Sequence, residues 1–514
     1  MKKKMRKFGV MTLLVGAVLL AGFASCADNT IPGDEQGKNA MTADVQVRIS
    51  VDNGSQTRAA NDETGDGNET GIADEYLVKN ATLYFFSDAT GFVKSETFTG
   101  FVQDPTVTAN QVVWTSQNRK MAEGSYKVVV LVNGTAATAP AVGSTIANFM
   151  KDVKTGADTW IASASNGLLM ASRNTSTDPV SPVSITAANT PANPAVVEAH
   201  VERTVAKVTL DGKAGYTYSG APLPAGVSIQ LTDYRVLNLR NEFFTFRHTT
   251  TGFTPVNPGV TVDNVTYGFG DLPDANSYIM DPKTFMKNTS LPTGLISGVD
   301  YRDWYAHTAF STAIGNGTTE TILGYSQENT MEKEAQKKGY GTAIVFKAQI
   351  TGAGTVGAGE NLYYDRKNKI FYNTYAALQA VFTTLHPTTP NYMELAAHDI
   401  SAYKDGKTTY VYYIKHADNT TENNMGIMEY AMVRNNVYKI NVTDITAPGR
   451  GLVPDPSDPT GSTPLDPANP TVPDGGDPTI DPAEDIETEE IDIALKVQLT
   501  VRPWIIRNNN VILK

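Results

Sequence analysis

The chain has 514 residues, which is enough for two or more domains that each bury a core. Its formal net charge of −12 argues against nucleic acid as a partner, because phosphates repel an acidic surface. Thr, Asn, Gly, Pro and Tyr are plentiful beside an ordinary hydrophobic content of 41%, a composition that favours β-structure with many turns.

Residues 1–25 have the pattern of a targeting segment. Five basic residues precede an apolar stretch that ends directly before Cys26. This pattern predicts a lipoprotein signal peptide that is cut before Cys26, whose thiol then carries lipid. A plain transmembrane anchor is the alternative. Because Cys26 is the only cysteine, a lipidated chain has no thiol for catalysis, for a disulfide or for zinc.

The next segment, 41–51, alternates strictly between apolar and polar residues. A period of two predicts a half-buried β-strand. Its apolar positions are Met41, Ala43, Val45, Val47, Ile49 and Val51.

An arginine follows this strand and precedes an acidic, Gly-rich stretch that we expect to be disordered. Such a position is accessible to a trypsin-like protease, so we predict cleavage between Arg58 and Ala59. The cut would make the strand removable and would leave an apolar groove open. We therefore interpret residues 26–58 as a propeptide that carries a removable strand.

Short β-rich runs separated by turn signals fill the chain from about residue 77 to 450. The fold class that this pattern predicts is mainly β, with two β-sandwich-like (transthyretin-like) domains in tandem, at 59–210 and 211–450. Residues 454–482 contain nine prolines among Asp, Thr and Gly. We expect the whole segment 451–490 to be an extended, Pro/Asp-rich tether. An ordinary domain linker is the alternative.

The segment 491–514 opens with a second alternating strand. Its apolar positions match in pattern those of 41–51, which suggests that one strand can take the place of the other. Two unrelated edge strands of one sandwich are the alternative interpretation. On the first interpretation, the tethered strand is a donor that fills a groove in another molecule. Its apolar residues are Ile491, Ile493, Leu495, Val497, Leu499 and Val501.

Motifs for catalysis, metals and nucleotides are weak or incomplete. The six histidines show no metal-ligand spacing. The glycines of 352–357 match a dinucleotide motif, but a strand-like sequence follows them where a helix is required. A calcium-like loop that starts at Asp62 has Ala73 where the bidentate Glu belongs. We therefore predict a non-enzyme with no catalytic residue, no metal site and no cofactor.

Together, the lipoprotein signal, the propeptide strand, the Arg-Ala site, two β-domains and the terminal strand resemble the fimbrillins, the type V pilins of Bacteroidales. The runs at 201–208 and 433–438 are also similar to that family. The Pro/Asp-rich arm particularly resembles that of the major shaft subunit of short (minor) fimbriae.

The resemblance implies a precursor held at the outer membrane by its lipid, and a mature protein in extracellular fimbriae that serve adhesion and biofilm. It implies cleavage by an arginine-specific, gingipain-like protease. Donor-strand exchange then joins copies of the chain into a polymer. The implied partners are further copies, anchor and tip subunits, and a host or bacterial surface receptor. A tip or ancillary adhesin and a surface glycan-binding lipoprotein are the alternatives.

Overall fold

The computed structural model describes part of the chain. The described residues are 41–51, 69–105, 112–150, 152–155, 166–173, 181–211, 216–251, 254–255, 259–262, 265–268, 277–279, 281–282, 305–312, 314, 320–330, 336–416, 429–470, 477, 479–481, 484–486 and 494–505. Within them, no helix is both long enough and apolar enough to cross a membrane.

Strands dominate the described residues. Those of the first part are β1 (Ala43–Val51), β2 (Glu69–Thr70), β3 (Asn80–Ser87), β4 (Gly91–Thr99), β5 (Val102–Gln103), β6 (Val112–Thr115), β7 (Arg119–Met121), β8 (Gly124–Val132), β9 (Val153–Thr155), β10 (Met170–Ser172), β11 (Ser181–Ile185) and β12 (Ala195–Arg203).

The middle of the chain continues with further strands, several of them short. They are β13 (Ala206–Leu210), β14 (Thr217–Ser219), β15 (Ser228–Leu237), β16 (Leu239–Arg240), β17 (Glu242–Phe244), β18 (Thr249–Thr251), β19 (Thr254–Pro255), β20 (Gly259–Val262), β21 (Val265–Gly268), β22 (Ser277–Ile279), β23 (Tyr305–Ala306) and β24 (Thr321–Ser326).

The last part contains β25 (Ala343–Thr351), β26 (Asn361–Asp365), β27 (Ile370–Tyr372), β28 (Ile400–Lys404), β29 (Lys407–Tyr413), β30 (Asn436–Ile445), β31 (Val453–Pro454), β32 (Pro464–Leu465) and β33 (Leu495–Ile505). The helices are short: α1 (Ile146–Phe149), α2 (Tyr375–Gln379) and α3 (Tyr392–Ala397), with a 3₁₀ turn at Ala73–Glu75. Side-chain oxygens cap the first turns of the three α-helices, at Thr145, Thr374 and Asn391.

The N-terminal domain is one mixed sheet with the strand order β4-β3-β8-β10-β12-β1-β6-β5, in which β11 also pairs with β8 and β7 with β1. Its inward side chains meet in a single core that joins β1 to β3, β8 and β12. The apolar run of β8 ends at Asn133, which has a φ of 58°, a conformation that asparagine tolerates. The Asn-Gly pair therefore ends this strand, as its sequence indicates.

The C-terminal domain is a sandwich of two sheets. One has the order β2-β33-β30-β13-β24 and the other β14-β15-β25-β29. Their facing side chains form one large core. Because β12 belongs to the N-terminal sheet and β13 to this sandwich, the chain crosses between the domains at Thr204 and Val205, upstream of the predicted boundary at residue 210. The prediction of a mainly β fold is confirmed.

The predicted extended tether is wrong for the described residues between 451 and 490, which pack against the C-terminal sandwich. Strands β31 and β32 pair with each other. The carboxylate of Asp477 is buried and lies 3.8 Å from both Arg235 and Arg450, and Ile486 is buried among apolar side chains. Proline fixes φ but does not prevent docking, and aspartates such as Asp458 close local turns by accepting backbone N–H groups.

Candidate functional site

Strand β1 lies in the interior of the N-terminal sheet and is paired on both edges. On one edge it runs parallel to β12, from Val45 opposite Ala195 to Val51 opposite Val201. On the other it runs antiparallel to β6 and β7. A strand in this position contributes backbone hydrogen bonds to both neighbours, so its loss would leave two unpaired edges.

The apolar side chains of β1 form the middle of the domain core. Five of them have no exposed surface and pack among residues of β3, β8 and β12. They are Ala43, Val45, Val47, Ile49 and Val51. The predicted propeptide strand therefore lies in a long apolar groove, which the neighbouring strands line on both sides.

Polar residues of β1 contact both rims of this groove. The Nζ atom of Lys120 lies 2.7 Å from Oδ2 of Asp44, which is buried. On the opposite rim, Arg48 and Glu198 form an exposed ion pair with an N–O distance of 3.7 Å. The β7 side of the groove therefore carries a positive charge and the β12 side a negative charge. The β1 residues that pair with them, Asp44 and Arg48, are four positions apart.

The predicted donor strand is found in its own domain. Strand β33 runs antiparallel to β30, from Leu495 opposite Ile445 to Pro503 opposite Asn436. The side chain of Leu495 is buried in the sandwich core, and Val497 packs against that core in part. The expectation that this strand has no place in its own sheet is therefore wrong for the single chain. Its apolar face suits any sheet with a free edge, and β30 supplies one.

The outer edge of β33 is covered by β2. Glu69 and Thr70 pair with Trp504 and Ile505, in parallel. In the sequence, β2 follows the predicted cleavage site by ten residues, 59–68. Residues that lie about ten positions downstream of the proposed cut thus pair with the end of the C-terminal strand.

Several predicted site residues lie outside the described part of the chain: Cys26, Arg58, Ala59, Ile491 and Ile493. For Leu499 and Val501 the structure gives the backbone pairing with Ile440 and Tyr438.

Sequence reasoning missed a buried polar junction between the two domains, centred on Glu75. Its Oε1 atom accepts a hydrogen bond of 2.8 Å from the Tyr325 hydroxyl and lies 3.0 Å from the Nζ atom of Lys207. Its backbone oxygen accepts a hydrogen bond from Arg203, whose guanidinium also donates to Asn435. Burial lowers the pKa of Arg203 to about 10. This cluster fixes the start of the N-terminal domain to β13, β24 and the turn before β30.

A second buried network lies beside it. Arg434 contacts Glu328 at 2.6 Å and Glu202 at 3.8 Å, and Arg247 also binds Glu202. Burial alone would raise the pKa of Glu202, but Arg247, Arg173 and Arg434 lower it overall. For Glu328, burial outweighs its arginine partner and raises the pKa. The sequence signal for both networks was the charged residues inside the apolar runs 201–208 and 433–438.

Two histidines, His248 and His416, are buried inside the structure. Burial lowers the pKa of His248 to about 3 and that of His416 to about 4. Among the described residues, no group of three or more His, Cys, Asp or Glu side chains is arranged to hold a metal ion. A cleft of 420 Å³ between α3, β28 and residues 446–454 contains Arg366 and Arg450 on its walls.

Two family models match the chain. The model described as "Major fimbrial subunit protein (FimA)" matches residues 43–211. The model described as "Major fimbrial subunit protein type IV, Fimbrillin, C-terminal" matches residues 401–510. The first match begins at β1 and the second includes β33, so the two strands of interest both lie within fimbrial sequence patterns.

Several solved structures from Parabacteroides and Porphyromonas match the chain at low sequence identity. A proposed cell adhesion protein from Parabacteroides distasonis is 14% identical, with 90% of this chain and 99% of that chain covered and a TM-score of 0.41. A fimbrilin from Porphyromonas gingivalis is 14% identical, with 91% and 99% covered and a TM-score of 0.36. The tip fimbrial protein of the same species, solved with a C-terminal truncation, is 12% identical, with 90% and 100% covered and a TM-score of 0.35.

A comparison with curated proteins gave no match. The two family-model matches and the β-sandwich architecture define a structural protein of fimbriae. The chain belongs to the fimbrillin family. Fimbrial subunits polymerise, associate with other fimbrial subunits and build appendages of the cell surface.

Proposed function

We propose that this fimbrillin is a shaft subunit that is made as an outer-membrane lipoprotein and matured by proteolysis. The thiol of Cys26 carries the lipid. An arginine-specific, gingipain-like protease cuts between Arg58 and Ala59, which releases β1 together with the anchor. The C-terminal strand of another copy then fills the vacated groove, and the resulting fibre serves adhesion and biofilm. Anchor and tip subunits, and a receptor on host or bacterial surfaces, are the further partners.

The position of β1 is the observation that carries this proposal. The strand is paired on both edges and its inward side chains are fully buried. Burial of its one isoleucine and three valines stabilises the domain by roughly 6–12 kcal/mol before opposing terms. That is as large as the whole stability of an ordinary domain, about 5–15 kcal/mol. A domain that has lost β1 therefore requires a replacement strand.

For donor-strand exchange, β33 must give up its pairing with β30 in its own domain. There it pairs along its length with β30 only, since β2 reaches just Trp504 and Ile505. In the groove, a strand pairs on both edges and buries five side chains completely. The groove thus offers hydrogen-bond partners on both edges and complete burial of five inward side chains, so insertion into a neighbouring subunit is favoured once the groove is open.

Two other functions predict a different state of the mature protein. A surface glycan-binding lipoprotein would keep its lipid on Cys26 and its strand β1. A tip or ancillary adhesin would be cleaved but would not pass a strand to a further subunit. The mass of the mature N-terminus and the presence of fibres separate the three.

Substitution at the cleavage site tests the proposal. Arg58→Ala should remain full-length and lipidated at the outer membrane, because the protease no longer recognises the site. The matched control, Arg366→Ala, removes an exposed arginine of the C-terminal domain and should mature to a chain that starts at Ala59. The measurement is mass spectrometry of the N-terminal peptide. Normal maturation of Arg58→Ala would show that the site is elsewhere.

A further inference from the structure

The rims of the β1 groove carry a pattern of charge that can select one strand register. Lys120 on β7 contacts Asp44, and Glu198 on β12 contacts Arg48. When β1 leaves, the positive and the negative side chain remain on opposite rims. A replacement strand can pair with both rim charges if it has an acidic residue and, four residues later, a basic residue.

The C-terminal strand has that spacing. Asp492 and Lys496 are four residues apart, and both stand at the polar positions of the alternating pattern. In the single chain, Lys496 already pairs with a carboxylate, since its Nζ atom lies 3.3 Å from Oδ2 of Asp444. Transfer to the groove would exchange that partner for Glu198.

We infer that the C-terminal strand of a second copy enters the groove in the direction of β1, parallel to β12, with Asp492 at the place of Asp44 and Lys496 at the place of Arg48. This inference rests on the proposed polymerisation and adds its register and direction. The core positions of Ala43, Val45, Val47, Ile49 and Val51 are then taken, in that order, by Ile491, Ile493, Leu495, Val497 and Leu499.

Other registers in the same direction fit less well. A shift of one residue turns the apolar side chains out of the core. A shift that places Lys496 at Gln46 sets Ala494 beside Lys120 and Gln498 beside Glu198, so neither charge is matched. The opposite shift of two residues brings Glu489 to the fully buried position of Ala43, where a lone carboxylate is strongly disfavoured.

Entry in the reverse direction is opposed by the same charges. With the two charged positions interchanged, Lys496 lies beside Lys120 and Asp492 beside Glu198. Both contacts are then repulsive, and the first is at the buried position of Asp44. The rim charges therefore choose the direction as well as the register.

Cysteine cross-linking in the polymer tests this register. The mature chain has no cysteine, because Cys26 is the only one in the sequence. Thr115 is the Cα partner of Arg48 across the β1–β6 pair. A mature chain with Thr115→Cys and Lys496→Cys should therefore give a ladder of disulfide-linked oligomers on a non-reducing gel. Its matched control, Thr115→Cys with Gln498→Cys, reports the register shifted by two residues and should give mainly monomer.

Each outcome of the cross-linking either supports or contradicts the inferred register. A ladder from the Lys496→Cys chain supports the inference. A ladder from the Gln498→Cys chain instead would overturn the register. So would fibres that form under reducing conditions but give no disulfide-linked oligomers with either cysteine pair. In both cases the proposed polymerisation would remain supported. If the cysteine-free parent chain forms no fibres after cleavage, the proposed function fails and the register with it.

A charge exchange gives an independent readout without cysteines. The double variant Asp44→Lys, Lys120→Glu keeps an ion pair between β1 and β7 in the precursor. In the polymer, however, the same double variant has an acidic side chain at position 120 beside the incoming Asp492. Fibre elongation should slow by roughly fivefold to tenfold, because an attractive contact becomes repulsive. Adding Asp492→Lys should restore the rate to within about twofold. No recovery in the triple variant would contradict the inferred contact.

Discussion

At the scale of single residues, the chain concentrates charge at the junction between its domains. Glu75 joins Lys207 and Tyr325, while Arg434 joins Glu328 and Glu202. These groups are buried, so each charge depends on its partners for the interactions that water would otherwise supply. The junction therefore holds the two domains in one arrangement.

Removal of the Glu75 carboxylate should destabilise the protein strongly. Glu75→Ala removes the carboxylate that contacts the buried Lys207 and that accepts a hydrogen bond from the Tyr325 hydroxyl. We expect a loss of roughly 3–5 kcal/mol in the free energy of unfolding, measured by urea titration. The control is Arg366→Ala, which breaks the exposed pair with Asp399 and should change stability by less than about 1 kcal/mol. An equal effect of the two variants would contradict this account of the junction.

Acid should weaken the fold through His416. Burial lowers the pKa of this histidine from 6.5 to about 4, and its Nδ1 atom lies 2.8 Å from the Tyr438 hydroxyl. Between those pH values the unfolded chain binds more protons than the folded one, so stability falls as pH decreases from about 6.5 towards 4. From pH 7 to pH 5 the contribution of His416 is a loss of about 2 kcal/mol.

Unfolding of the His416→Gln variant at both pH values measures this contribution. The glutamine does not titrate, so the loss on acidification should be smaller than in the parent chain by that amount. An identical loss in the variant and the parent would show that the histidine does not couple folding to protons.

At the scale of elements, β2 links the cleavage site to the C-terminal strand. In the precursor, the chain on both sides of β2 is anchored, by β1 upstream and by the turn at Ala73–Glu75 downstream. The proposed cleavage after Arg58 would remove the upstream anchor. Two residues of pairing contribute little on their own, so β2 should then separate from β33 more often.

Hydrogen exchange before and after cleavage tests this coupling. Of the adjacent amides of Trp504 and Ile505, the one that points towards β2 should exchange about tenfold faster in the cleaved monomer, because the outer edge of β33 loses its cover there. The amides of β25, in the opposite sheet of the sandwich, serve as the control and should not change. Unchanged exchange at Trp504 and Ile505 would mean that β2 does not restrain the strand.

The sequence predicts the two alternating strands, β1 and β33, better than their surroundings. Period-two alternation was sufficient for β1 and β33, because each has one apolar face. The self-docking of β33 was not predictable, since an apolar face does not specify which sheet it will meet. Asp477 and the Glu75 cluster were also missed, because burial of a charged residue depends on partners that lie far away in the chain.

At the scale of the whole molecule, the groove and the donor strand lie in different domains of one chain. A contact between the C-terminal strand of one copy and the N-terminal groove of the next is head-to-tail. Repetition of such a contact extends a filament whenever the rotation between copies does not close a ring. Under the proposed mechanism the precursor cannot polymerise while β1 occupies the groove, so proteolysis would set the time and place of assembly.

The central claim is that a strand from another copy replaces β1. The most direct measurement is electron microscopy of the full-length protein after digestion with an arginine-specific protease, combined with mass spectrometry of the fibres. The account predicts fibres whose subunits begin at Ala59 and contain no peptide from 41–51, and no fibres from a chain that lacks residues 491–514. Fibres that retain the 41–51 peptide, or fibres from the truncated chain, would contradict it.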